Sequence, residues 1–264
     1  MKLHYREIGE GEPLLILHGL YACSDNWLSI AKMLKDKYHI IIPDSRNHGH
    51  SPKSPTHSYD DMCYDTLELI NNLNINKINI IGHSMGGKTA MQFACAHPER
   101  INKLIIVDIA PIDYNIPKYK EHIKRHEDRI QLLESIKLTG LFSISALLTH
   151  LKKLKLDIDD QNLIAKNIFK NTNGQLDWRL NIPAIKKEIK NILCNNLEKS
   201  DCYTSLCHFI KGEHSDYLTE MNFSATKRYF TDAKLHIIRK CGHSIHIEQP
   251  KLLSKTIENI LRNN

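Results

Sequence analysis

Ser84 stands between glycines at positions 82 and 86 in the pattern G-x-S-x-G. The preceding residues 77–81 are rich in isoleucine and predict a buried strand, and residues 88–96 predict a helix. A sharp strand-to-helix turn lifts the serine hydroxyl clear of the sheet, and only small residues two positions away let strand and helix approach so closely. Ser84 is therefore predicted to be a nucleophile.

A serine hydroxyl is a weak nucleophile until a base removes its proton. The chain has 16 histidines, so the presence of one means little. His243 follows Gly242 in a short loop after the last predicted strand, from which an imidazole can reach across the strand ends. His243 is therefore predicted to be the base, and the order with the nucleophile first and the histidine last fits a known triad arrangement.

A third group, a carboxylate, must hold the imidazole in its productive tautomer. Asp108 ends the apolar run 104–107, and Asp216 follows the later run 206–210. Both positions lie near the carboxyl end of a predicted strand, so the residues alone leave both candidates open.

Other polar groups suggest alternative sites that their surroundings do not support. His48 and His50 are spaced like metal ligands, but the aspartate and histidine that complete a binuclear site do not follow them. His122 and His126 lie four residues apart without the glutamate of H-E-x-x-H. No glycine-rich phosphate loop precedes Lys88, which is interpreted as a structural residue. Neither a metal nor another cofactor is expected.

The elements that must position these groups alternate along the first part of the chain. Alternation predicts a parallel sheet with helices on both faces, and functional residues then belong at the carboxyl ends of strands. Predicted strands cover residues 3–8, 14–17, 39–43, 77–81, 104–107, 206–210 and 235–238; predicted helices cover 26–35 with Ser24 or Asp25 as its cap, 59–73, 88–96 and 251–262.

A helical segment interrupts this alternation between residues 114 and 196. Its periodicity predicts helices over 120–136 and 145–154 and near 160–170 and 184–197, with no convincing strand. We expect one domain, 1–264, with 114–196 as a helical cap inserted late in the sheet.

The cap region is also the basic part of the chain. Residues 114–190 hold 15 Lys+Arg and 9 Asp+Glu, which accounts for the whole net charge of +6. Two interpretations remain open: a solvated helical cap, or a cap that attracts anionic substrates such as acyl-coenzyme A thioesters. The charges are not interleaved with a stacking platform, so no nucleic-acid partner is expected.

Composition bounds the location and partners of the protein. With 264 residues, 41% hydrophobic and 25% charged, it has the composition of an ordinary globular protein. The apolar runs are too short to span a membrane, and no signal peptide is visible, so no membrane insertion is expected. Seven cysteines without C-x-x-C pairs predict reduced thiols and a cytoplasmic location.

The chain resembles the α/β-hydrolase superfamily over nearly its full length, and more narrowly the small cytosolic esterases of the bacterial YbfF type. The resemblance is carried by His18-Gly19-Leu20, Asp44-x-Arg46-Asn47-His48-Gly49-x-Ser51, Gly82-His83-Ser84-Met85-Gly86-Gly87-Lys88, Val107-Asp108-Ile109-Ala110-Pro111, Trp178-Arg179-x-Asn181 and Gly242-His243. It implies an α/β-hydrolase fold with a mostly parallel, twisted sheet. The activity it implies is hydrolysis of short- to medium-chain acyl esters or thioesters through an acyl-Ser84 intermediate.

The resemblance also bears on the remaining site residues. Many α/β hydrolases place the acid where Ser215 stands, with Asp216 one residue late, whereas the YbfF-type esterases use the position of Asp108. It therefore favours Asp108, leaves Asp216 as the alternative, and places Ser215 near the histidine. The oxyanion donors it implies are the backbone N–H groups of Leu20 and Met85.

Two other functions remain possible for the same fold. One is another serine chemistry, such as carbon–carbon bond hydrolysis or peptidase action on a small substrate. The other is a non-catalytic ligand-binding module, which the presence of nucleophile, base and acid together disfavours. The expected partner is a small-molecule substrate, and the oligomeric state is undetermined.

Overall fold

Seven strands form one sheet through the centre of the molecule. The computed structural model describes residues 1–262. The strands lie in the order β1-β3-β2-β4-β5-β8-β9, and only β1 runs antiparallel to its neighbour. They span β1 Tyr5–Ile8, β2 Glu12–Leu17, β3 Tyr38–Pro43, β4 Ile78–His83, β5 Ile101–Val107, β8 Cys207–Gly212 and β9 Ala233–Ile238. The predicted mostly parallel α/β sheet is confirmed.

Helices cover both faces of this sheet, which explains why its central strands are almost entirely apolar. One face packs against α2 and α3 in a core that includes Phe93, and the other packs against α1 and α10 in a core that includes Trp27. The helices outside the late insertion are α1 Leu28–Leu34, α2 Tyr59–Asn72, α3 Met85–Ala96, α8 Glu220–Thr226, α9 Ile245–Glu248 and α10 Pro250–Arg262.

The start of α1 differs from the prediction. Residues Ser24–Trp27 form a 3₁₀ turn, and the α-helix begins only at Leu28, so neither Ser24 nor Asp25 is its cap. The reason is a tertiary contact, because the Ser24 amide donates a hydrogen bond of 2.6 Å to the Asp44 carboxylate. The Ser24 amide thus holds this segment against the loop after β3, and the Asp25 carboxylate pairs with Arg6 on β1 at 2.6 Å.

Between β5 and β8 the chain forms four helices and a small hairpin. These are α4 Lys120–Ser135, α5 Ile144–Lys153, α6 Ile158–Lys166, β6 Ile168–Lys170, β7 Leu176–Trp178 and α7 Ile182–Leu193. The expectation of no strand in this region was wrong, since β6 and β7 pair antiparallel. Each strand has only three residues, too few for an alternating pattern to be recognised in the sequence.

Asn181 attaches this inserted region to the loop after β3. Its amide side chain donates to the Asn47 side-chain oxygen and to the Ser54 carbonyl, each at 2.9 Å. The Asn181 main-chain N–H also bonds the Asn47 carbonyl at 3.0 Å. Two motifs that are 134 residues apart in sequence therefore form one joint between body and insertion.

Two further observations on residues 1–262 concern the cysteines and the lengths of the helices. All seven cysteines are unpaired. Within residues 1–262, no helix combines the length and the apolar character needed to cross a bilayer.

Candidate active site

Ser84 occupies the turn between β4 and α3 in a strained backbone conformation. Its φ is +54° and its ψ is −119°, a region that residues other than glycine rarely adopt. The turn is held on both sides, because the Ser84 N–H donates to the Val107 carbonyl at 3.1 Å and the Ser84 carbonyl accepts from Lys88 N–H at 3.0 Å. The chain thus presents the serine at the carboxyl end of the sheet.

Glycines at positions 82 and 86 make this turn sterically feasible. A Cβ on Gly82 would lie 2.4 Å from the Gly86 carbonyl oxygen, and a Cβ on Gly86 would lie 2.3 Å from the carbonyl oxygen of Leu17. Both distances are far below van der Waals contact. The predicted need for small residues on either side of Ser84 is confirmed.

Asp108 and His243 are in direct contact. The imidazole Nδ1 lies 2.8 Å from Asp108 Oδ2, and the Asp108 side chain is fully buried. The Ser215 hydroxyl donates to the same Oδ2, and the Gly212 N–H donates to Oδ1 at 3.1 Å. Since a carboxylate accepts hydrogen bonds, Nδ1 carries the proton and Nε2 is left free for a serine hydroxyl.

Asp216, the other candidate acid, faces the inserted region. Its carboxylate lies 2.8 Å from the Arg125 guanidinium and 3.5 Å from His122 Nε2, and its side chain is 54% exposed. Partial burial opposes ionisation, but the hydrogen bond from Arg125 holds the pKa of Asp216 below its ordinary value. The structure therefore brings Asp108, and not Asp216, to His243.

The two predicted oxyanion donors, the backbone amides of Leu20 and Met85, belong to the two turns that meet at Ser84. The Met85 N–H begins α3 and has no acceptor within its own helix. Leu20 follows Gly19 in the turn after β2, and a Cβ on Gly19 would lie only 3.2 Å from Ser84 Cβ. The loop that carries the Leu20 amide is therefore packed against Ser84.

His18 has a structural environment. Its Nδ1–H donates to the Gly19 carbonyl at 2.8 Å, and its Nε2 accepts from the Ser45 N–H at 2.9 Å. Complete burial lowers the pKa of His18, so the ring is neutral. These bonds fix the turn that carries the Leu20 amide.

The histidine-rich loop after β3 is likewise bonded to main chain. His48 Nδ1 donates to the Arg46 carbonyl at 3.0 Å, and Nε2 accepts from the Tyr21 N–H at 3.2 Å. The Asp44 carboxylate accepts from the His50 N–H at 2.8 Å. Across the described residues, no group of three or more His, Cys, Asp or Glu side chains is arranged to hold a metal ion.

A cavity of about 290 Å³ opens above Ser84 and His243. Tyr217 forms part of its wall and stacks on the His243 ring, with centroids 4.1 Å apart at an interplanar angle of 27°. The inserted region contributes Arg125, His126, Arg129 and Leu163. The sequence did not mark any of these five as site residues, because no motif contains them. Only the packing of α4 and α6 brings the four inserted ones to the pocket that contains Ser84.

The charges on this wall are largely paired. Arg125 bonds Asp216, and Arg129 lies 3.2 Å from the Asp160 carboxylate. Burial lowers the pKa of His126 to about 3, so that ring is neutral between the hydroxyl groups of Tyr21 and Tyr217. The pocket therefore holds two arginines with local counter-charges.

Comparison with known proteins agrees with this architecture. The family described as alpha/beta hydrolase fold matches residues 12–124. Over 248 residues the chain is 32% identical to the sn-1-specific diacylglycerol lipase ABHD11 of Danio rerio, a match that covers 92% of this chain and 76% of the relative. The chain belongs to the α/β-hydrolase family. The hydrolase is also 28% identical to Esterase YbfF of Escherichia coli, across 94% of this chain and 92% of that protein.

A solved structure extends the similarity to the whole molecule. The hydrolase superposes on a marine microorganism esterase with a TM-score of 0.90 and 40% identity, covering 98% of this chain and 99% of that one. The resemblance to the YbfF-type esterases is confirmed by these relatives.

Proposed function

We propose that this hydrolase is a serine esterase that cleaves short- to medium-chain acyl esters or thioesters through an acyl-Ser84 intermediate. The observation that carries the proposal is the 2.8 Å contact between His243 Nδ1 and buried Asp108, in the same pocket as a serine held at φ +54°. Its relatives include proteins named esterase and diacylglycerol lipase, which supports ester hydrolysis as the reaction class.

In the first half of the reaction, His243 Nε2 takes the proton of the Ser84 hydroxyl as Oγ attacks the acyl carbonyl carbon. The carbonyl π electrons move to oxygen, and the N–H groups of Leu20 and Met85 stabilise that oxyanion. When the tetrahedral intermediate collapses, the bond to the leaving alcohol or thiol breaks. The His243 imidazolium gives that leaving group its proton, and the acyl group remains on Ser84.

In the second half, water replaces the alcohol or thiol. His243 Nε2 takes a proton from water as its oxygen attacks the acyl carbon, and the same two amides stabilise the second oxyanion. Collapse breaks the bond to Ser84 Oγ, which regains its proton from His243. The products are a carboxylic acid and the free enzyme.

Asp108 has a supporting role in both halves. Its carboxylate keeps the proton on Nδ1 of His243 and stabilises the imidazolium when it forms. The hydrogen bonds from Ser215 and Gly212 hold the carboxylate in place. Asp108 is therefore proposed as the triad acid, with Ser215 as its support.

The inserted region is proposed to choose the substrate. We assign residues 114–196 to a cap within a single 1–264 domain, because its helices contribute part of the wall of the cavity at Ser84. A cavity of about 290 Å³ suits a short to medium acyl chain. The seven unpaired cysteines fit a reducing compartment, so we propose a cytoplasmic enzyme.

A series of p-nitrophenyl esters, from acetyl to dodecanoyl, and the matching acyl-coenzyme A thioesters would test the proposal. Ser84→Ala should lower kcat by roughly 10⁴-fold or more. Ser254→Ala, a buried serine on α10, is the matched control and should keep normal turnover. Hydrolysis that survives in Ser84→Ala would overturn the assignment of the nucleophile.

A further inference from the structure

His83 is the residue directly before the serine in the G-x-S-x-G motif, and the proposed reaction gives it no step. It ends β4 directly before the nucleophile, and its Nε2 lies 3.0 Å from the main-chain oxygen of His243. We propose that His83 is a positioning residue that fixes the His243 loop relative to Ser84. The proposal rests on the proposed roles of Ser84 and His243.

The direction of this hydrogen bond follows from the chemistry of the carbonyl oxygen and from the neutral state of the buried His83 ring. His83 is 5% exposed, and burial together with the neighbouring His243 lowers its pKa well below the ordinary value. A neutral imidazole has one N–H, and the His243 oxygen can only accept. The proton of His83 is therefore on Nε2 and points at the main chain of the base.

The opposite side of the ring meets the loop that carries the Leu20 amide. A Cβ on Gly19 would lie 2.9 Å from His83 Nδ1, so the Gly19 backbone packs directly against the imidazole. The His83 ring thus spans the space between the loop that carries the Leu20 amide and the His243 loop. Because His83 directly precedes Ser84 in the chain, it sets the distances between Ser84 and these two loops.

The other hydrogen bonds of the His243 loop hold atoms other than the His243 carbonyl oxygen. Glu248 accepts from the Gly242 N–H at 2.8 Å and from the Ser244 N–H at 3.2 Å, which fixes the amides on either side. Asp108 holds the imidazole itself at Nδ1. The His83 bond reaches the carbonyl of the base residue, on the side of the nucleophile.

A packing role alone would not require the N–H group. The His83 ring also touches Trp27, with centroids 6.0 Å apart, and His246, with centroids 4.9 Å apart. An apolar residue of similar size would keep much of that packing but would lose the hydrogen bond. This difference separates a positioning role from a purely structural one.

The experiment compares His83→Leu, which removes the donor, with His83→Gln, whose amide can still reach the His243 carbonyl. We expect His83→Leu to lower kcat by about 10–100-fold with a nearly unchanged KM, because displacement of the base slows the chemistry more than binding. His83→Gln should recover most of kcat. His57→Leu, which removes another buried neutral histidine, is the control and should keep normal kcat.

A second readout does not depend on ester turnover. The ¹H–¹⁵N signal of His243 Nδ1–H should persist in the wild type and in His83→Gln, and broaden or disappear in His83→Leu. If His83→Leu does not fold, His83→Asn replaces it, since its shorter amide cannot span the gap.

The outcomes separate the two proposals. Normal kcat and an unchanged Nδ1–H signal in His83→Leu, or equal losses in His83→Leu and His83→Gln, would overturn the positioning role. A wild type that hydrolyses no ester would overturn the proposed function, and the imidazole signal would then still decide the role of His83.

Discussion

The ammonium group of Lys88 lies 3.1 Å from the main-chain oxygen of Leu193, the last residue of α7. Lys88 is almost fully buried and also donates to the carbonyls of Ile112, at 3.2 Å, and Cys194. It lies one helical turn after Ser84. A single side chain thus joins the helix that follows Ser84, the loop after Asp108 and the end of the inserted region. The carboxyl end of α7 stabilises a protonated amine at this position.

Replacing this side chain should weaken the joint. In Lys88→Met, which has a similar shape, buried carbonyl oxygens lose their donor, and we expect the free energy of unfolding to fall by about 1–3 kcal/mol. Burial lowers the pKa of Lys88 to about 7, so urea unfolding at pH 6, where most of the amine is protonated, measures the effect. Lys186→Met, an exposed lysine paired with Glu134, is the control and should change stability by less than about 1 kcal/mol. Equal stability of both variants would contradict the role of Lys88 in holding these three segments together.

The identity of the triad acid can be tested with a pair of isosteric variants. Asp108→Asn should lower kcat by roughly 10⁴-fold, because an amide at this position favours the wrong tautomer of His243. Asp216→Asn breaks only the contacts with Arg125 and His122, so its kcat should stay within about tenfold of the wild type. Steady-state kinetics on a p-nitrophenyl ester decide between them, and a severe loss confined to Asp216→Asn would reverse the assignment.

Ser215 should have a smaller effect that depends on the same carboxylate. Ser215→Ala removes one hydrogen bond to Asp108 while the Gly212 N–H remains, so we expect a loss in kcat of about tenfold. KM should hardly change. Ser215→Thr restores the hydroxyl and should recover part of kcat. If Ser215→Ala turned over at the normal rate, the hydroxyl would have no part in supporting Asp108.

The buried histidines predict sensitivity to acid. Burial, helped by nearby Arg46, lowers the pKa of His57 to about 4, against 6.5 for an exposed histidine. Between pH 6.5 and pH 4 the unfolded state therefore binds more protons than the folded state, and stability falls as the pH falls. His57→Leu removes this contribution.

Urea unfolding at several pH values between 7 and 4.5 checks this expectation. The stability of His57→Leu relative to the wild type should increase steadily as the pH decreases, and neither ring nitrogen of His57 has a hydrogen-bond partner to lose. His39→Leu is the control, since that ring is partly exposed and lies beside Glu7. If the free energy of unfolding changed equally with pH in His57→Leu and in the wild type, protonation of His57 would not cause the sensitivity to acid.

The sequence predicts those parts of the site that depend on strand ends. Ser84 and Asp108 directly follow buried strands and His243 follows the last strand after a short loop, so knowledge of the strands was enough to bring them to one edge of the sheet. The wall of the pocket could not be predicted in this way. Arg129 and Leu163 lie on amphipathic helices whose spacing shows a buried face but not the surface that it covers.

The two ends of the inserted region lie side by side, because the Tyr114 N–H donates a hydrogen bond of 2.9 Å to the Leu193 carbonyl. Strands β5 and β8 pair in parallel with Val107 opposite Ile210, and the Asp108 N–H bonds the Ile210 carbonyl at 2.8 Å. Because the entropy of closing a loop grows only slowly with its length, extra residues between Tyr114 and Leu193 would add little to that cost. The β5–β8 register that places Asp108 at the strand end lies outside this segment. In the proposed reaction, the residues that cleave the bond lie outside this segment, and part of the pocket wall lies inside it. Natural variation within the segment would then change the choice of substrate before it changed the chemistry.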